Sequence, residues 1–144
     1  MMKTLLIEAE TEGGAPVIKV LDYDTKGDNL SFFYKHIGCD TVDIVRAYGI
    51  NEIPMLKDIC LVVDDEGLCK GEPKINLLGS LLYGMLEHEQ PLVGNVLVCK
   101  DVYTEDGIET GGLEDSDIAF IDLALKKLGK KYNDEVARRK AASE

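Results

Sequence analysis

Residues 59–88 read ICLVVDDEGLCKGEPKINLLGSLLYGMLEH, and the fold turns on this stretch. Ile59–Val63 is apolar at every position, the mark of a central strand buried on both faces. Asp64, Asp65, Glu66 and Gly67 turn the chain, and Leu68–Lys70 reads as a short return strand. Asn76 then opens a helix predicted over Leu77–His88. Its apolar stripe is Leu77, Leu78, Leu81, Leu82, Met85 and Leu86. Gly79, Ser80 and Gly84 leave low-volume positions, so close packing against this helix is expected.

The flanking sequence adds the remaining elements. Thr4–Ala9 and Val17–Leu21 are apolar runs separated by Gly13, Gly14 and Pro16, which predicts a hairpin. Asp28 can cap a helix whose face is Leu30, Phe33, Tyr34 and Ile37, with Gly38 at its C-terminal end. Thr41–Ala47 alternates like a strand, and Val96–Val102 reads as another. Residues 104–117, TEDGIETGGLEDSD, carry no base and read as an acidic loop. Asp115 or Ser116 can cap a last helix running to Leu128, where Gly129 is a natural stop. Residues 129–144 are net basic and read as a frayed helical or disordered tail. The element order is ββαβββαβα. It predicts one α+β domain over residues 1–128, with a mixed or largely antiparallel sheet and helices packed on it.

Composition narrows the class of function. The chain has 144 residues, 45% hydrophobic and 30% charged, enough for a single core without disulfides or metal. No apolar run approaches the ~20 residues that span a bilayer. The start, MMKTLLIEAE, lacks the features of a secretory signal, so a cytoplasmic protein is expected. Against 16 Lys+Arg stand 27 Asp+Glu, for a net charge of −11. Such a body repels phosphate backbones, and direct nucleic-acid binding is not expected. Acid of this kind either keeps a small protein soluble or copies the charge of DNA to occupy a basic partner. Cys39, Cys60, Cys69 and Cys99 form no C-x-x-C pair, and no metal or cofactor is expected. Ser80 is not in a nucleophile elbow, and no zinc-protease helix or nucleotide fingerprint occurs. A non-enzymatic protein is the resulting expectation.

The middle of the chain resembles a family of short bacterial and phage proteins, domain of unknown function 3846. The likeness covers about residues 30–102. It runs through the helix ending at Ile37-Gly38, TVDIV, ICLVVDDEG, GEPKINLLGSLLYG and LVGNVLV. Gly67, Gly71, Pro73, Asn76, Tyr83, Gly84 and Gly94 carry the pattern, whereas Cys39 and Lys74-Ile75 depart from it. The acidic loop and the tail lie outside the likeness. The resemblance implies a protein of phage or mobile-element type and brings no activity with it.

Two sets of residues are candidates for function. Asn76 can cap its helix, or it can hold a small anionic or nucleotide ligand at the helix N-terminus with Lys74, Tyr83 and Asn95. Glu105, Asp106, Glu109, Glu114, Asp115 and Asp117 form the acidic face that would meet a basic partner. The leading expectation is a binding protein, acting as a host-defence antagonist that sequesters such a ligand. One alternative is the DNA-mimic-like binder of a basic protein. The other is a small hydrolase acting on a nucleotide-like ligand. Oligomeric state stays open.

Overall fold

The computed structural model describes residues 2–9, 17–69, 71 and 74–143. The strands are β1 (Met2–Glu8), β2 (Val17–Tyr23), β3 (Val42–Arg46), β4 (Ile59–Asp64), β5 (Ile75–Asn76), β6 (Leu92–Val93), β7 (Val96–Thr104) and β8 (Gly107–Gly111). The α-helices are α1 (Asn29–Ile37), α2 (Leu77–Tyr83), α3 (Met85–His88) and α4 (Asp115–Ser143). The main sheet has the order β2-β1-β7-β4-β3, with β8 joined to the far half of β7, and every pairing is antiparallel. Strands β5 and β6 make a separate small ladder. The molecule is therefore α+β, and its sheet is antiparallel.

Ile59–Val63 is central, as its composition predicts, and its side chains feed two cores. Ile59, Leu61 and Val63 join Leu5, Ile7, Val96 and Val98 on one face, under α2 and α4. Cys60 and Val62 join Leu6, Leu97 and Cys99 on the other, under Phe33 and Ile37 of α1. The period-two alternation of an antiparallel strand produces this division. It also explains a sheet with no polar face at its centre. Removing a side chain such as Leu61, fully buried, would cost about 2–5 kcal/mol.

Helix α1 begins and ends where its caps place it. The Asp28 carboxylate accepts from Ser31 N at 3.1 Å, and Gly38 takes φ +80° while donating to Tyr34 O. The first hairpin is present in its strands; its turn at Gly13, Gly14 and Pro16 lies outside the described residues, as do Lys70 and Pro73.

Several elements depart from the sequence reading. Residues 104–111 are not a loop. Strand β7 continues to Thr104 and returns as β8 through Glu105-Asp106. Gly107 takes φ +125°, and Thr104 Oγ1 donates to Gly107 O, which closes the tight turn. The helix predicted over Leu77–His88 breaks at Gly84, whose φ is +101° and whose N–H reaches back to Ser80 O and Leu81 O. Only glycine adopts that conformation cheaply, so α3 is a separate turn. Gly67–Cys69 forms a turn of 3₁₀ helix rather than a return strand. Helix α4 runs through Gly129 to Ser143. Tyr132 packs against the first core, and Glu135 pairs with Arg138 and Arg139, so the extra turns have partners.

Candidate interaction surface

The β7–β8 hairpin projects past the sheet from an anchored root. Asp101 N–H donates to Asp58 O at 2.8 Å, and Tyr103 Oη donates to Asp58 Oδ1 at 3.3 Å. Arg46 on β3 binds the Asp101 carboxylate, which raises the Arg46 pKa further above its ordinary value. From the other side, Tyr23 Oη donates to Thr110 O at 2.9 Å. Burial raises the Tyr23 phenol pKa, so it stays a donor at neutral pH. The tip is open: Tyr103 and Ile108, cross-strand partners, are 61% and 58% exposed.

Between this hairpin and the first turn of α1 lies a groove of about 710 Å³. Met2, Leu30, Phe33, Ile44 and Val102 give it apolar walls, and Lys26, Asn29, Glu109 and Thr110 add polar groups. Leu30 was expected on the buried face of its helix; it is 52% exposed and lines the groove instead. Asn29 Oδ1 is buried and has no hydrogen-bond partner among the described residues. Such an acceptor is uncommon in a folded protein and marks a place where a donor would be welcome.

The six acids divide by position. Glu105 and Asp106 form the exposed turn, Glu109 reaches the groove, and Glu114 is exposed. Asp115 is exposed but bonded to Lys3 Nζ at 2.9 Å. Asp117 is withdrawn from the surface: it pairs with Lys100 at 3.2 Å and accepts from Glu114 N at 2.9 Å, capping α4. Glu109 is thus the acid of the groove itself, and Glu105 and Asp106 lie beyond it at the exposed turn of the same hairpin.

The other four candidates are used differently. Asn76 is 1% exposed and fully engaged. Its Oδ1 accepts from Gly79 N, and its Nδ2 donates to Ile7 O and Gly94 O, each at 2.9 Å. Asn95 accepts from Ala9 N at 2.9 Å and donates to His36 O at 3.4 Å. The two asparagines therefore bolt the end of β1 to its neighbours. Lys74 is exposed, with its carbonyl accepting from Gly94 N. Tyr83 lies against the rings of Tyr48 and His88. It also lines a cavity of about 160 Å³ with Asp43, Asp64 and Asp65, carboxylates that disfavour an anion.

Sequence reasoning missed the groove. One signal was available: α1 carries Leu30, Phe32, Phe33, Tyr34 and Ile37 in nine residues, more apolar surface than one buried face needs. Among the described residues, no three His, Cys, Asp or Glu side chains converge as metal ligands. Nor is any described helix long and apolar enough to cross a membrane.

Comparison with known proteins gives a family and no function. No curated protein and no solved structure matches the chain. A family model matches residues 2–125, from β1 into α4. The match is wider than the likeness read from the sequence and includes the acidic hairpin. On that match the chain belongs to the domain of unknown function family DUF3846.

Proposed function

We propose that this protein is a non-enzymatic interaction module that holds a basic, amphipathic segment of a partner protein in the groove between α1 and the β7–β8 hairpin. The observation that carries the reading is the joining of two features in one place. An apolar groove of about 710 Å³ is lined by Glu109, and the hairpin that carries Glu109 ends in the acidic turn Glu105-Asp106. Apolar side chains of a partner would fill the walls at Leu30, Phe33 and Ile44. Its arginines or lysines would meet Glu109 and the acidic turn of the hairpin. Buried apolar contact supplies affinity, while rim charges supply steering and register. The hairpin is held at its root by Asp58, Arg46 and Tyr23, so little ordering cost accompanies binding.

The protein-partner reading is favoured over the small-anion reading because of how Asn76 is used. All its polar atoms bond to backbone, so it has none to offer an anion. Origin in a phage or mobile element, and action against a host protein, remain part of the proposal on the strength of the family likeness. Acid along the hairpin is also what a DNA-copying surface would present.

Calorimetric titration with a short peptide of alternating arginine and leucine tests the reading. Neutralising Glu105, Asp106 and Glu109 to their amides should weaken binding about tenfold, and raised salt should do the same. Leu30→Ser with Ile44→Ser, which leaves every charge in place, should weaken it comparably. Equal losses on neutralising the distant acids Glu52 and Asp134, or no effect of the groove substitutions, would overturn it.

A further inference from the structure

The outer edge of β2 lies at the end of the sheet order, and none of its residues lines the groove. Its residues, Val17–Tyr23, pair with β1 through seven consecutive positions, without a bulge and without proline. No described strand pairs with its other edge. Val17, Ile18 and Val20 are 43%, 39% and 53% exposed. Natural edge strands are normally shortened, charged or bent. Here the single lysine is turned aside, with Lys19 Nζ 2.6 Å from Glu8 on β1.

The backbone register shows which groups face outward. Lys3 and Leu113 exchange both backbone hydrogen bonds, so the odd residues of β1 point their amides towards β7 and β8. The even residues of β1 then bond to β2, through Leu21, Lys19 and Val17 opposite Thr4, Leu6 and Glu8. Ile18, Val20 and Asp22 are left with N–H and C=O pointing away from the sheet. These three are evenly spaced about Val20, so the edge is complementary to a second copy of itself.

The opposite edge of the sheet is less suited to such pairing. Strand β3 has five residues, and Ala47 N–H bonds to Ile59 O, so Ile44 N–H points outward. That amide is already taken by the Asp43 carboxylate at 2.9 Å. Charge does not oppose pairing at β2. The chain carries a net −11, yet β2 holds one lysine and one aspartate, so the strand itself adds no net charge where two acidic bodies would meet.

We propose that two copies of this chain associate edge to edge through β2, antiparallel, with the two-fold axis at Val20 and one sheet continuous across the dimer. Val20 then meets its own copy on the α4 face, and Ile18 lies opposite the partner's Asp22.

Sedimentation velocity over a concentration series, with amide hydrogen exchange at the two ends of the series, tests this. A monomer at low concentration should give way to a dimer. Ile18, Val20 and Asp22 amides should gain protection with concentration, while Lys19 and Leu21 stay protected throughout. Val20→Lys should abolish the dimer and melt at the temperature of the dilute, monomeric parent. Val20→Pro, which removes an outward N–H and leaves the β1 ladder intact, should do the same. A monomer at every concentration, or a dimer that survives Val20→Lys, would overturn the proposal. So would protection gained at another surface.

Discussion

Replacing Asn76 with alanine should damage the fold directly. Three hydrogen bonds of 2.9 Å are lost together, from a side chain that is 1% exposed. Each is worth about 1 kcal/mol net, so the expected loss is about 3 kcal/mol. The N-cap to Gly79 accounts for about 1 kcal/mol of it. For a chain of this length that corresponds to a fall in Tm of about 10 °C, readable by circular dichroism or calorimetry. Related substitutions separate the contributions. Asn76→Ser keeps an acceptor for the cap but loses both donors, so it should recover about 1 kcal/mol of the loss. Asn76→Asp also keeps the cap, yet it aims a carboxylate at Ile7 O and Gly94 O, and should be no more stable than alanine. A Tm within about 2 °C of wild type for Asn76→Ala would refute the argument, because three buried bonds cannot vanish that cheaply. So would an aspartate variant as stable as the parent.

Other consequences follow from the same geometry. Gly49→Ala should destabilise by about 3 kcal/mol in thermal melts, since its Cβ would collide with Leu81 O, a backbone atom near the end of α2. In alkylation of the native protein, Cys69 should react while Cys60 and Cys99 resist. Both are buried, and burial raises the Cys60 thiol pKa and pushes Cys99 up to about 12; unfolding should release all four cysteines. Hydrogen bonds from Arg138, then Arg139, hold the Glu135 carboxyl below its ordinary 4.5. A depressed carboxyl stabilises the folded helix above pH 4.5, and that support is lost as pH falls through the lowered value. Helicity of the last turns of α4 should therefore drop in acid below pH 4.5, and Glu135→Gln should remove that step.

Much of the fold was legible because local patterns carried it. Ile59–Val63 is apolar throughout, and a strand covered on both faces must be. Asp28, Gly38 and Asn76 act as caps through bonds to residues a few positions away, so spacing alone predicts them. The failures share a cause as well. The composition of residues 104–111 spoke for a solvated loop, yet Gly107 and the Thr104 hydroxyl close a turn that lets Ile108 and Thr110 pair with β7. The stripe through Leu81, Leu82, Met85 and Leu86 continues across Gly84, so periodicity alone could not reveal the break. Gly129 costs its helix about 1 kcal/mol, which good helix formers and the packing of Tyr132 offset.

The groove lay further from view. Met2, Leu30, Ile44 and Val102 come from four separate elements, and strand order, which local pattern does not encode, brings them together. In the other direction, Asn76 was recognisable as both a cap and a candidate ligand contact. Its donors to Ile7 and Gly94 are tertiary and appear only in the structure.

Residue-resolved NMR titration with the arginine–leucine peptide tests the central claim most directly. Amides of residues 25–33 and 102–110 are expected to shift saturably, with those of residues 74–76 unmoved. When Glu105, Asp106 and Glu109 are neutralised, the same shifts should need about tenfold more peptide to saturate. Shifts gathered instead around Lys74 and Asn95, or spread evenly over the acidic surface, would contradict the assignment of the groove as the binding site.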